Sequence, residues 1–226
     1  MIKYLYLLLL TLVVGSCKKS GIRPATAPKA FTNVVILGNS ITYSERNTAI
    51  GWNDSWGMAA SSRENDYVHL LSEKFGQADS LARVRALNIA AFELNYKQYD
   101  FNNYLRAYRT LKPDLLILRI GENVQQAGFD AAMFQQRYSD LISYFKNGNP
   151  NLTVLSVSSF WPDRRYASAE MQKHEPYLSL EPLGFDVTNY AFDRLNVDQS
   201  VKGHPGDKGM QAIADMIWQK LQEIKR

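Results

Sequence analysis

The chain has 226 residues, of which 46% are hydrophobic, 21% charged and 12% aromatic, with one Cys and a formal charge of +4. That length supports one sizeable core, and the composition excludes a disordered, collagen-like or disulfide-stapled chain. Lys and Arg are scattered without a basic stripe or zinc-finger spacing, so no nucleic-acid partner is expected.

At the N-terminus, Lys3 precedes an almost continuous apolar run over residues 5–14. The run is too short to span a bilayer and has the length of a signal-peptide core. It ends in Val14-Gly15-Ser16-Cys17, which resembles a bacterial lipobox. In that motif small residues let a peptidase reach the bond before the cysteine that then carries the lipid. A lone Cys is usually a buried thiol, but this one sits at the boundary between the apolar run and Lys18-Lys19-Ser20. These features predict a signal peptide over 1–16 and a tether with two prolines over 17–30, joined to the membrane through lipid on Cys17. The folded domain is then expected over 31–226, in the cell envelope, on its periplasmic or outer face. The sequence leaves the oligomeric state open.

From residue 31 onward, short apolar runs alternate with amphipathic stretches. Strands are predicted over 33–37 (NVVIL), 84–90, 114–120 (DLLILRI) and 151–159, with a short fifth over 185–188. Helices are predicted over 66–75, 99–111, 130–145 and 208–224. The last of these places Met210, Ile213, Ala214, Ile217 and Leu221 on one face. Residues 161–182 form a long insert punctuated by Pro, with one possible helical turn, and no internal repeat is visible. Continuous apolar strands separated by helices imply an α/β fold, a three-layer α/β/α sandwich around a mostly parallel five-stranded sheet.

In such sheets ligands bind beyond the carboxyl ends of the strands. That rule singles out residues 38–40, 91–93, 121–123 and 160–161; two candidates stand there and a third on the loop before the last helix. Ser40, in Gly38-Asn39-Ser40, follows the first strand and would open a helix whose N–H groups favour negative charge, or else merely cap it. Asn123, in Gly121-Glu122-Asn123, offers a side-chain amide to a developing oxyanion, or else makes an Asx-type turn. His204, fixed between Gly203 and Pro205, suits a positioned general base. Of the other two histidines, His69 reads as a helix residue satisfied by packing and His174 as solvated surface. No second His stands at ligand spacing and no Cys pair exists, so no metal is expected; no nucleotide fingerprint points to a cofactor.

Gly-x-Ser after strand one, Gly-x-Asn after strand three and His-Pro before the last helix together resemble the SGNH family of GDSL-type hydrolases. The resemblance runs from Val34 to Ile217, and Gly51-Trp52-Asn53-Asp54-Ser55-Trp56-Gly57-Met58-Ala59-Ala60-Ser61 is similar to a bacterial subgroup of it. It implies a flavodoxin-like sheet, Ser40 as nucleophile, His204 as base and Asn123 as oxyanion donor. It departs from the family pattern at two positions. Glu93 stands where a glycine usually lends a main-chain N–H to the oxyanion hole. Val201 stands where an Asp usually orients the His; Asp198, six residues before His204, or a main-chain carbonyl are the substitutes.

The implied activity is that of a serine esterase acting on short acyl esters, acetyl above all, without a cofactor. Among such relatives the resemblance implies acetyl esters of carbohydrates as candidate substrates; Trp52, Trp56 and Trp161 stand near strand-end loops, where they either pack the core or rim or stack on sugar rings. The rivals are a catalytically impaired lipoprotein that binds carbohydrate on the same scaffold, and a structural envelope protein.

Overall fold

The structure, a computed structural model, describes residues 30–224. The expected signal peptide, Cys17 and the tether up to residue 29 lie outside the described residues. Five parallel strands form one sheet: β1 (Asn33–Gly38), β2 (Arg83–Asn88), β3 (Leu115–Arg119), β4 (Thr153–Val157) and β5 (Tyr177–Leu178). Their order is β2-β1-β3-β4-β5.

Successive side chains on a strand point to opposite faces, and both faces here are apolar. Val35, Leu37, Leu116 and Leu118 pack against α3 (Phe101–Thr110) and α4 (Ala131–Lys146) through Leu105, Phe134, Tyr138, Leu141 and Phe145. Val34, Ile36, Leu115 and Ile117 pack on the other side against α1 (Tyr67–Ala78) and α8 (Asp207–Ile224), through Tyr67, Leu71, Phe75, Ile213, Ile217 and Leu221. Each such fully buried aliphatic contributes about 1.5–3 kcal/mol relative to exposure. The helices begin where the sequence supplies an acceptor. Asp66, Asp100 and Asp130 each take a first-turn N–H of α1, α3 and α4 respectively.

The three-layer sandwich and its four long helices agree with expectation, and three local assignments do not. The segment 185–188 is no strand. Asp186 takes the Thr188 N–H and hydroxyl, folding a 3-10 turn (Val187–Asn189) that leaves Phe185 and Val187 exposed. The fifth strand is the two-residue β5, inside the insert between the short helices α5 (Ser168–Met171) and α6 (Glu181–Gly184), too short to leave an alternation in the sequence. No helix follows Ser40 either. Residues 39–43 close one turn on the Asn39 carbonyl, and the chain is then captured by antiparallel bridges from Ser44 to Trp56 and from Asn47 to Trp52. His174, finally, is half-buried: its ring packs on Tyr138 and its Nε2 lies 3.3 Å from the Ser139 hydroxyl.

Candidate functional site

The chain steps from β1 outward to β2, then back across to β3, so β1 and β3 are neighbours where the direction of winding reverses. A crevice opens at the carboxyl ends of such strands, and Ser40 and Asn123 follow them directly. The turn at Ser40 requires Gly38, because a Cβ there would stand 1.8 Å from Thr42 Oγ1. Thr42 is itself held by a 2.6 Å bond to the Tyr67 hydroxyl.

Ser40 Oγ lies 2.8 Å from His204 Nε2. The opposite ring atom, His204 Nδ1, lies 2.7 Å from the carbonyl oxygen of Ser200. A carbonyl only accepts, so Nδ1 carries the hydrogen and Nε2 presents its lone pair to the serine. The short helix α7 (Gln199–Lys202) explains this arrangement. Lys202 and Gly203 bond back four residues, to Asp198 and Gln199. His204 would be next, but its N–H turns to Val201, and Pro205 after it disfavours a further helical turn. The carbonyl of Ser200, orphaned at the helix end, is taken instead by the imidazole of that same histidine.

Asp198 is therefore not the partner of His204. Its carboxylate is exposed and caps α7 by accepting the Ser200 N–H at 2.8 Å. Val201 is fully buried in an apolar cluster with Trp52, Met58, Ala59 and Ala191. His69 lies away from this crevice on α1, with Nδ1 2.7 Å from Asp66 and Nε2 accepting from Arg63.

Beneath the crevice is a buried polar network that sequence reasoning missed. Arg119, at the end of β3, is wholly buried and forks onto Glu122 Oε1 (3.0 and 2.8 Å) and Asn39 Oδ1 (2.8 Å). Asn39 Nδ2 donates to Glu122 Oε2 at 2.6 Å and to Glu93 Oε1 at 3.2 Å. Glu122 also accepts the Phe160 N–H. Glu93 is the fourth residue of the helix α2 (Ala90–Leu94), and its carboxylate reaches the site, a role not expected of it. Its oxygens accept from Gly121 N (2.5 Å), Asn123 N (3.3 Å) and Asn123 Nδ2 (2.7 Å). Gly121 has a φ of +128°, a conformation strained for any side-chain-bearing residue, which turns the chain toward Glu93. The one hint in the sequence was Arg119 itself, a charge inside an otherwise apolar strand.

The surroundings set the charges. Burial holds the His204 imidazole down to about 4, with Arg119 and Arg164 adding to the effect and the Ser200 carbonyl opposing it. Burial, and then the Glu122 carboxylate, push Glu93 up to about 7. Tyr67 is pushed up as well by burial.

Ser40, Asn123, Trp161, Asp163, Arg164, Tyr190 and His204 line a cavity of about 370 Å³. It adjoins one of about 590 Å³ that shares Asn123, Asp163 and Arg164, and one of about 330 Å³ that shares Tyr190. Trp161 stands edge-on to the His204 ring at 5.1 Å, and its indole N–H donates to the Gly203 carbonyl. Trp52 is fully buried, and Trp56 packs against it and bonds the Ala60 carbonyl; neither lines this cavity. Among the described residues, no three His, Cys, Asp or Glu side chains converge as a metal site, and no helix is long and apolar enough to cross a membrane.

No protein-family signature matches the chain, and comparison with curated proteins returns no match. Solved structures do resemble it. A two-domain esterase active on acetylated mannans superposes with a TM-score of 0.57 at 17% identity, over 86% of this chain and 49% of that one. A family two carbohydrate esterase from Cellvibrio japonicus gives 0.52 at 18% identity, over 88% and 63%. The psychrotrophic esterase EstA from a Pseudoalteromonas species, inhibited by monoethylphosphonate, gives 0.52 at 15% identity, over 84% and 96%. The chain has the fold of these esterases. It spans about half the length of the two-domain enzyme and less than two thirds of the Cellvibrio one.

Proposed function

We propose that the protein is a serine esterase that removes short acyl groups, acetyl above all, from carbohydrate esters. The observation that carries this reading is the relay from Ser40 Oγ through His204 to the Ser200 carbonyl, at 2.8 and 2.7 Å. Ser40 Oγ attacks the ester carbonyl as His204 Nε2 takes its proton. The tetrahedral oxyanion lies against the Asn123 amide and the Ser40 N–H, each placed beside a strand end. His204 then returns the proton to the leaving alcohol. Water, activated by the same imidazole, releases the acid and restores Ser40. Loss of an oxyanion donor such as Asn123 costs about 3–4 kcal/mol in comparable hydrolases.

Three observations support a carbohydrate substrate. The cavity at Ser40 shares Asn123, Asp163 and Arg164 with a polar cavity lined by Gln125, Gln126 and Tyr166. Trp161 stands in the Ser40 cavity. Similar folds belong to an esterase active on acetylated mannans and to a carbohydrate esterase solved with cellohexaose. Val201, in place of the expected Asp, favours the rival, a carbohydrate-binding lipoprotein without catalysis.

Hydrolysis of p-nitrophenyl acetate and butyrate by residues 29–226, together with labelling by an organophosphonate, separates the two. Activity and label lost in Ser40→Ala and His204→Ala support the esterase; hydrolysis unchanged in Ser40→Ala would move the binding protein to first place. The proposed anchoring through Cys17 has its own test, since Cys17→Ala in the full chain should shift it from the membrane to the soluble fraction.

A further inference from the structure

The mechanism above gives the Glu93 side chain no step, yet that carboxylate holds the Asn123 amide at 2.7 Å. A loop asparagine has a broad terminal torsion and two amide orientations of similar energy, so an oxyanion donor on a loop needs something to fix it. An ionised carboxylate accepts only, and in that form Glu93 selects the orientation in which the NH2 end of Asn123 faces it. One Nδ2 hydrogen is consumed in that bond. The second diverges from it in the amide plane, and Asn123 lines the cavity that holds Ser40. Glu93 Oε1 also takes the main-chain N–H groups of Gly121 and Asn123, so a single carboxylate grips both the backbone and the side chain of the donor.

Glu93 is itself fixed. It is 1% exposed, on α2, and Asn39, the neighbour of Ser40, donates to it at 3.2 Å. The charged groups facing it are few. Glu122 shares the Asn39 amide with it, and Arg119, bonded to Glu122 and Asn39, supplies the compensating charge.

We infer that Glu93 is a positioning residue, which locks the Asn123 amide in the one orientation that leaves its second N–H free for the oxyanion. The catalytic half of this inference rests on the esterase reading above; the restraint on Asn123 does not. Glutamine at 93 would bring an NH2 group against the donors of Gly121 and Asn123, releasing the amide while keeping the volume.

The test is a double-mutant cycle on p-nitrophenyl acetate with Glu93→Gln, Asn123→Ala and the combination, with thermal melts as the control for folding. Glu93→Gln should lower kcat about 10–100-fold with KM within about twofold, and add nothing once Asn123 is Ala. Glu93→Asp, which keeps the carboxylate, should recover part of the loss. An equal cost of Glu93→Gln in both backgrounds, or an unchanged kcat, would overturn the positioning role. A second readout needs no turnover: 15N relaxation of the Asn123 side-chain amide. Its order parameter should be near that of rigid backbone, about 0.85, in the parent and fall below about 0.6 in Glu93→Gln. Equal rigidity in both would refute the restraint, whatever the activity. A parent inert to ester and phosphonate, with order still lost in Glu93→Gln, would sink the esterase reading alone.

Discussion

His204 Nδ1 donates to the carbonyl oxygen of Ser200, four residues earlier, at 2.7 Å. The imidazole thereby completes the hydrogen-bond ladder of α7 that its own main-chain N–H has left. A neutral acceptor fixes the tautomer as a carboxylate would, but it adds no negative charge to stabilise the imidazolium that the proposed acylation would form.

Removing the side chain of Asp198 should therefore leave the chemistry largely intact. Asp198→Ala is expected to keep kcat/KM for p-nitrophenyl acetate within about threefold, since the variant loses a cap on α7 and no contact to the base. A loss of 10³-fold or more, approaching that of a missing triad member, would show that the carboxylate swings onto His204 during turnover.

Restoring the carboxylate at the expected position should not help. Val201 is fully buried among Trp52, Met58, Ala59 and Ala191, and Nδ1 is already engaged. Val201→Asp is expected to lower stability by about 2–4 kcal/mol in urea melts, the cost of burying a poorly paired polar group, with no gain in kcat. A rise in kcat would mean that the loop repacks to form a triad.

The pH dependence has a definite sign. His204 is held down to about 4, so its base form persists in mild acid; in Glu93→Gln, which lacks the carboxyl pushed up to about 7, the acidic limb of kcat/KM should fall near pH 4, well below the ordinary histidine value of about 6.5. A limb near pH 6.5 would contradict this.

Stability should show two opposed slopes. For His204 the unfolded chain binds the extra proton between about 4 and 6.5, so its contribution falls as pH drops through that window. For Glu93 the folded state binds the extra proton between about 4.5 and 7, so its contribution falls as pH rises. In the parent the two contributions therefore oppose one another between about pH 5 and 6.5. In that window the unfolding free energy should rise with pH in Glu93→Gln and fall with pH in His204→Gln. Parallel profiles for the parent and both variants would refute the assignment.

Gly38→Ala tests the turn that presents Ser40, the proposed nucleophile. The added Cβ meets Thr42 Oγ1 at 1.8 Å, Thr42 Cβ at 2.7 Å and the Arg119 carbonyl at 3.0 Å. The turn must move, so labelling of Ser40 by a phosphonate should slow by about 100-fold or more, given the sensitivity of such geometry to a displacement of about 1 Å. An unchanged rate would mean that Thr42 gives way and Ser40 stays.

Much of the frame was legible because its signals are local. NVVIL and DLLILRI are long enough apolar runs to mark β1 and β3, and the rule for strand ends then singles out Ser40 and Asn123, with His204 marked by its fixed loop. The remainder depends on features that residue identity does not carry. Every residue has a carbonyl, so nothing in Ser200 advertised an acceptor. Glu122 reads as an ordinary loop carboxylate, and Glu93 stands in the sequence for its main-chain N–H alone, until tertiary packing closes over both side chains with Arg119. Two-residue β5 is defined by its neighbour β4 and not by its own pattern.

Because the His204 ring is aimed by backbone, its alignment is indifferent to which side chain occupies position 200. Mutational drift there leaves the acceptor untouched, and only changes that redirect the main chain, at Gly203 or Pro205 above all, can erase it. A carboxylate orienter is lost in one nucleotide change; this one is as durable as the helix end that supplies it.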